Sequence, residues 1–359
     1  MKHNKHLRRS NNTVRISLFT VVMLFLFVLV GSSQPVTYSG LVDAYYSVNF
    51  ASPSSYKNEL RNFDVNTNSF TLSQVELVIQ RTTSASSPIG FRMDLDYGAT
   101  NDLVQTSLNT TLANVQQAYI TAVLPVGGGL TVDAGKFVTH MGNEVIESKD
   151  NWNYSRSYLF AFAIPYYHTG MRLTYPVFSN LTATLHVLDG WNSVTDVVKS
   201  TNIGATVNYA ATSSTGIIFN GIWGHTGYEP GARNVYDFIV SQTVFDNLLL
   251  AVNADYGEAG AALGLATWKG VDIYGRYAID TLSAVALRGE VYDDPLGYTT
   301  GIKNTYKEVT LTLEHKLFNQ MLLRGELRED IALNPAYDKT ALATETSQIT
   351  FTIGAVVTF

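Results

Sequence analysis

The side chains able to do chemistry in this sequence are charged residues set on alternating positions, and their spacing builds no catalytic set. Arg276, Arg288, Arg324 and Arg328 recur in the last quarter of the chain, with Glu290, Glu314 and Glu326 among them, and Arg92, Asp94 and Asp96 repeat the pattern earlier. On an extended strand every second residue points the same way, so each set shares one face. Such residues can hydrate and pair along a wall, or orient a solute that passes it, but they offer no nucleophile beside a base. His140, His168, His186, His225 and His315 form no HxH or HExxH spacing, which predicts ordinary polar residues on loops or walls, no metal site and no cofactor. Gly127-Gly128-Gly129 is followed by another alternating segment rather than a helix, so it reads as a hairpin turn and not a phosphate cradle. No G-x-S-x-G elbow is present.

The elements that must position these charges are β-strands. The clearest is Gln348 to Phe359, QITFTIGAVVTF, where Ile349, Phe351, Ile353, Ala355, Val357 and Phe359 oppose a mostly small or hydroxylated face. The same rhythm predicts about sixteen strands, from the first near Val36–Phe50 to this last one. Tight turns such as Ser84–Pro88, Thr212–Thr215 and Asp280–Ser283 alternate with longer polar connections. An even strand number, strands of about ten residues and alternating short and long connections are what a membrane-spanning β-barrel requires. A soluble sandwich has no need of long loops on one side only, and a β-helix would show a fixed repeat, which is absent. The expected fold class is therefore all-β, a closed antiparallel transmembrane barrel. Phe359 is the expected barrel-closing C-terminal residue, an aromatic of the kind that outer-membrane insertion machinery reads.

Composition agrees. Lys2, Lys5, Arg8, Arg9 and Arg15 precede the uncharged run Ile16–Val30 and the small residues Gly31-Ser32-Ser33, the pattern of a cleaved signal peptide over 1–33, with the barrel over 34–359. Removing that leader takes five basic residues and no acidic one, leaving 19 basic against 30 acidic residues, a balance that argues against nucleic acid. The chain has no Cys, while its 21 Tyr, 17 Phe and 4 Trp suffice for aromatic girdles at two interfaces. Outer-membrane lipids and small hydrophilic solutes or ions are the expected partners, and the sequence leaves a homo-oligomer open.

Within this frame AGKFVTHMGNEVIESKDNWNYSRSYLFAFAIPYYHTG (Ala134–Gly170) resembles the outer-membrane β-barrel porins of the OmpL-like (porin-2) family. FTLSQVELVIQR (Phe70–Arg81), LDGWN (Leu188–Asn192), RGEVYDD (Arg288–Asp294) and LRGELRED (Leu323–Asp330) fit the same pattern. The resemblance spans essentially the whole mature chain and implies an outer-membrane barrel forming a pore; it carries no catalytic residues. A barrel phospholipase would need a Ser–His pair on the lipid side, whereas His168 and His186 fall on lumen faces, so no enzyme is expected.

The expected function is passive diffusion of small hydrophilic solutes through a water-filled lumen, with a non-conducting adhesin or scaffold as the alternative. Arg92, Asp94, Asp96, Arg276, Arg288, Glu290, Glu314, Arg324, Glu326 and Arg328 are the expected pore-lining residues. The third outer connection, about 139–164, is the longest and carries Trp152, Tyr154, Tyr158, Phe160 and Phe162, which favours a packed loop over a disordered one. Folded inward, it would bring Glu144, Glu147, Asp150, Trp152, Tyr154 and Arg156 to a constriction, facing Arg276, Arg288 and Arg324 on the opposite wall. The register also implies that Ile353→Arg would impair assembly while Thr352→Arg would be tolerated.

Overall fold

In lipid an unpaired strand edge leaves backbone groups without partners, at several kcal/mol each, so a sheet of alternating strands must close on itself. The computed structural model describes residues 34–359 apart from 106–111, 196–200, 226–230, 262–263, 319 and 341–342. The signal-peptide segment lies outside the described residues. The strands are β1 (Thr37–Asn49), β2 (Ser69–Arg81), β3 (Ile89–Tyr97), β4 (Val115–Leu124), β5 (Leu130–Val138), β6 (Tyr167–Phe178), β7 (Leu181–Leu188) and β8 (Asn202–Ala210). They continue as β9 (Thr215–His225), β10 (Ala232–Phe245), β11 (Leu248–Ala261), β12 (Gly264–Ala278), β13 (Ser283–Asp294), β14 (Asn304–Leu317) and β15 (Met321–Ala332). After the short strands β16 (Tyr337–Thr340) and β17 (Ala343–Glu345) comes β18 (Ser347–Thr358).

All but β16 and β17 form one closed antiparallel barrel of sixteen strands in sequence order, sealed by pairing of β1 with β18 from Leu41↔Thr358 to Asn49↔Thr350. At the seam Phe359 exchanges backbone hydrogen bonds with Gly40, 3.1 Å in each direction. β16 and β17 make a separate hairpin in the last outer connection, too short for alternation to reveal. A short helix α1 (Ala99–Val104) sits in the second outer connection.

Side-chain period fixes the two faces. Along β14 the burial alternates almost without a break: Tyr306, Glu308, Thr310, Thr312 and Glu314 are buried, while Lys307, Val309, Leu311 and Leu313 are exposed. Phe351, Ile353, Leu311, Tyr97, Tyr256 and Phe359 are all exposed on the outer surface, where the sequence pattern puts them. The tight turns are closed locally. In the β12–β13 turn Asp280 accepts from the backbone N–H of Leu282 and of Ser283, both at 2.7 Å, which holds its carboxyl below its ordinary range.

The inner face is not uniformly wet. Thr352 is 1 % exposed and donates to Ser47 across the seam, so an inward position there is a packed one. The expectation that Thr352→Arg is tolerated therefore fails: there is no room for a guanidinium at that site. Gln80, also inward but only partly buried, borders open space. Ile353→Arg should prevent assembly into the heat-modifiable barrel, since Arg on the lipid face near mid-depth costs ~2–4 kcal/mol. Thr352→Arg should also fail, and Gln80→Arg should assemble normally on semi-native gels.

Candidate functional site

The barrel interior is organised by the connection between β5 and β6, residues 139–166, which is the longest between barrel strands. It enters the lumen and packs on the wall made by β12 to β15, β18 and β1. The anchoring logic starts from the backbone: an inserted loop carries N–H groups that must find acceptors once water is gone. Wall carboxylates supply them. Glu326 accepts from the N–H groups of Tyr154 and Ser155 at 2.6 and 2.9 Å, and Glu290 from those of Tyr158 and Leu159 at 2.7 Å each. Further round, Asp237 takes the Gly142 N–H and Asn253 that of Asn143.

The loop carbonyls meet arginines. Arg288 donates to the Ser155 carbonyl and forms an ion pair with Glu144 at 2.6 Å. Arg324 donates to the carbonyls of Ser148 and Asn151, and Arg328 to that of Arg156 at 2.6 Å. Arg156 itself is buried and donates to the loop carbonyls of Val145, Tyr154 and Ile146. Tyr154 donates to Asp43, and Tyr158 to Asp330. Burial, then those neighbouring carboxylates, pushes both phenols well above their ordinary value, so each stays a neutral donor.

Shape matters as much as charge. A Cβ on Gly354 would meet the Tyr154 ring within 2.4 Å, and one on Gly270 would meet Leu159 within 2.8 Å. The loop lies flush on the wall because these two inward positions carry no side chain. Above it Tyr158, Phe160, Tyr166, Tyr292, Tyr306 and Phe63 join one buried cluster, so part of the barrel is filled by an apolar core. Phe63 comes from the first outer connection, which also dips inward: its Arg61 bonds Asp64, Asp330 and Thr350.

The sequence placed Arg276, Arg288 and Arg324 across the waist from this loop. The structure puts Arg288 and Arg324 in direct contact with it, on the same side, and Arg276 beside Glu314 at 2.8 Å. Arg288, Arg324, Arg328, Glu290, Glu314 and Glu326 are all buried. Strand order alone cannot tell which wall a flexible insert leans on, and the carboxylates that decide it looked like ordinary lumen charge.

Open space remains on the other side of the loop. One cavity of about 270 Å³ lies between Arg92, Gln117, Tyr119 and Arg172 on the β3–β6 wall and Glu144, Ile146 and Glu147 on the loop. A second, of about 410 Å³, is bordered by Glu76, Gln80 and Arg92 opposite Glu147, Lys149 and Asp150, and reaches Ser39 and Phe359 at the short-turn rim. Arg92 pairs with Asp94 at 2.9 Å and Arg172 with Asp133 at 2.7 Å, leaving both guanidinium side chains partly exposed. Asp96 is buried and accepts from Gln74. Trp152 packs edge-on against Tyr274 on the anchoring side. Arg172 borders this space without having been singled out from the sequence; it could have been found from its inward parity on β6.

His140, His168 and His186 gather beside the loop, with the His140 and His186 rings stacked at 3.9 Å, a cluster that no spacing motif announces. His140, on the loop, is held well below its ordinary pKa by burial first and then by the two neighbouring rings, so it stays neutral.

The family model described as "Putative beta-barrel porin-2, OmpL-like" matches residues 35–359. No curated protein matches the chain. Among solved structures, the anion-selective porin from Comamonas acidovorans superimposes with a TM-score of 0.61 at 15 % identity, covering 90 % of this chain and 99 % of that one. OmpT of Vibrio cholerae, an outer-membrane protein, gives 0.59 at 12 % identity over 92 % and 100 % of the two chains. A mutant of the porin of Rh. blastica gives 0.53 at 11 % identity over 90 % and 100 %. At these identities the likeness establishes the shared barrel fold.

The anchoring geometry makes a direct prediction. Glu326→Ala removes the acceptor of two buried loop amides, each costing ~1–3 kcal/mol when orphaned. Gly354→Leu removes the space for Tyr154. Both should lower the urea midpoint of barrel unfolding and open residues 139–166 to limited proteolysis, while the wild type resists cleavage there.

Proposed function

The chain belongs to the porin-2, OmpL-like family of outer-membrane β-barrels, and from that premise we propose that it passes small hydrophilic solutes by passive diffusion along the loop face turned away from the anchoring wall. The observation that supports this reading is the pair of cavities that both touch Arg92 and Glu147, one bordered by Val138, Thr139 and Tyr166 beside the β5–β6 connection and the other reaching the short-turn rim. Between them the wall offers Arg92 and Arg172, and the loop offers Glu144 and Glu147. Opposed charges bordering one partly enclosed space set a transverse field, which favours polar solutes that can align and disfavours apolar ones. Lys149 and Asp150 extend the charged lining toward the short-turn rim. On this reading the arginines of β13 to β15 build the constriction without lining it, and no side chain is asked to do covalent chemistry.

A second reading, a non-conducting barrel that displays its outer loops, draws support from the buried aromatic cluster that fills part of the lumen. Planar-bilayer recording separates the two. A conducting pore should show discrete steps, and Arg92→Ser combined with Arg172→Ser should shift the reversal potential in a salt gradient several-fold toward cations. Arg324→Ser, on the anchoring side, should disturb assembly or gating noise rather than selectivity. An absence of steps from correctly folded protein would favour the display reading, and a shift produced by Arg324→Ser but not by the Arg92 and Arg172 pair would return the passage to the other wall.

A further inference from the structure

Behind the inserted loop three carboxylates meet on neighbouring strands. Asp272 on β12 stands opposite Glu290 on β13, and Glu290 stands opposite Glu308 on β14. One oxygen of each lies within 4.8 Å of one oxygen of both others, and all three residues are buried. Their donors are unequal. Both oxygens of Glu290 accept loop amides, and Glu308 accepts from Arg288 at 2.6 Å and from Thr310. Asp272 receives only the Tyr274 hydroxyl, on Oδ2; its buried Oδ1 meets no donor. On the adjacent strand β11 the buried Asp255 Oδ2 is in the same position.

The charge around this point does not balance. Arg288 pairs with Glu308 and with the loop's Glu144, and Arg328 stands 3.6 Å from Glu308 but closer to Asp330, at 2.7 Å, while Asp255, Asp272 and Glu290 form no ion pair among the described residues. Buried carboxylates in excess of their cations are strongly disfavoured unless a proton or a metal ion joins them. A hard cation takes carboxylate oxygens at 2.3–2.6 Å in flexible geometry, so ligands across it stand up to ~5 Å apart, a limit that the three oxygens here satisfy. Magnesium demands shorter, near-octahedral contacts and keeps several waters, which a three-carboxylate site packed beneath a loop does not favour.

We propose that Asp272, Glu290 and Glu308 bind a calcium ion, with Asp272 Oδ1 as the ligand atom that has no other partner, and that the ion braces the inserted loop. The brace acts through Glu290, which holds the Tyr158 and Leu159 amides and the ion together. The site goes beyond the passage on the far face of the loop, and it stands or falls independently of conduction.

The test uses full-length protein in detergent, stripped with a chelator and dialysed against radiolabelled calcium. Wild type should show a saturable site, and calcium should protect residues 139–166 from protease. Asp272→Asn and, separately, Glu308→Gln should each weaken binding more than about tenfold and abolish the calcium-dependent protection. Asp338→Asn, on the exposed outer hairpin, should change neither. Heat-modifiable migration on gels reports whether each variant is folded. The proposal is overturned if stripped wild type shows no saturable binding, or if folded Asp272→Asn and Glu308→Gln bind calcium as wild type does, in which case the triad is neutralised by shared protons. Since the wild-type measurement alone can overturn it, misfolding of the variants does not shelter the idea.

Discussion

The structure depends on how the backbone of one long insert is satisfied inside a closed barrel. A strand solves its hydrogen bonding with its neighbours; a loop that leaves the rim and enters the lumen cannot. Here Glu326, Glu290, Asp237 and Asn253 accept its N–H groups, and Arg288, Arg324 and Arg328 donate to its carbonyls. Because all of these bonds but that of Asn253 involve charged partners out of bulk water, they are individually stronger than neutral ones and together fix one position of the loop. They also account for the wall's alternation of acids and arginines. The cross-strand partners Glu314 and Arg324 neutralise one another, and Arg288 reaches both Glu308 on the wall and Glu144 on the loop.

That single commitment divides the lumen in two. On the anchoring side, glycines at 270 and 354 let the loop lie flush, and aromatic rings from the loop and from the first outer connection complete an apolar core within the barrel. On the other side Arg92, Gln117, Tyr119 and Arg172 border open volume, and Gln116 on the same wall donates to Glu147 of the loop. The open volume is thus confined to one side by the loop's asymmetric attachment. The barrel supplies rigidity through sixteen mutually paired strands, and the loop divides the space they enclose.

The packed interior also changes what inward-facing means. In an empty channel any lumen position accepts a polar substitution, yet Thr352, Arg288 and Glu308 are as buried as residues in a globular core. Polar groups there carry the usual obligations of burial: partners for every donor, and compensation for every charge. Where the compensation falls short, as around Asp272, the structure itself indicates where a missing counter-charge belongs.

The sequence by itself determined the barrel. Two-residue periodicity, turn chemistry between hairpins and the apolar face of Gln348–Phe359 marked about sixteen strands and the parity of their lipid-facing sets, because lipid admits only a closed sheet and one-residue slips would put charge into hydrocarbon; the exact pairing register, with shifts such as that between Asp43 and Ala44, came from the structure. It also marked residues about 139–164 as a packed insert, since their aromatic side chains gain free energy by packing. What only the tertiary structure decided is the side on which that insert rests. Arg288 and Arg324 read as free lumen charge because a carboxylate's or guanidinium's partner across the barrel is more than a hundred residues away in the chain and leaves no periodic signal. The cluster of His140, His168 and His186, the carboxylates of β12 to β14 and the role of Gly354 share that cause: each is a juxtaposition made by closure and insertion, and local sequence carries the parity of a side chain but not the identity of what it meets.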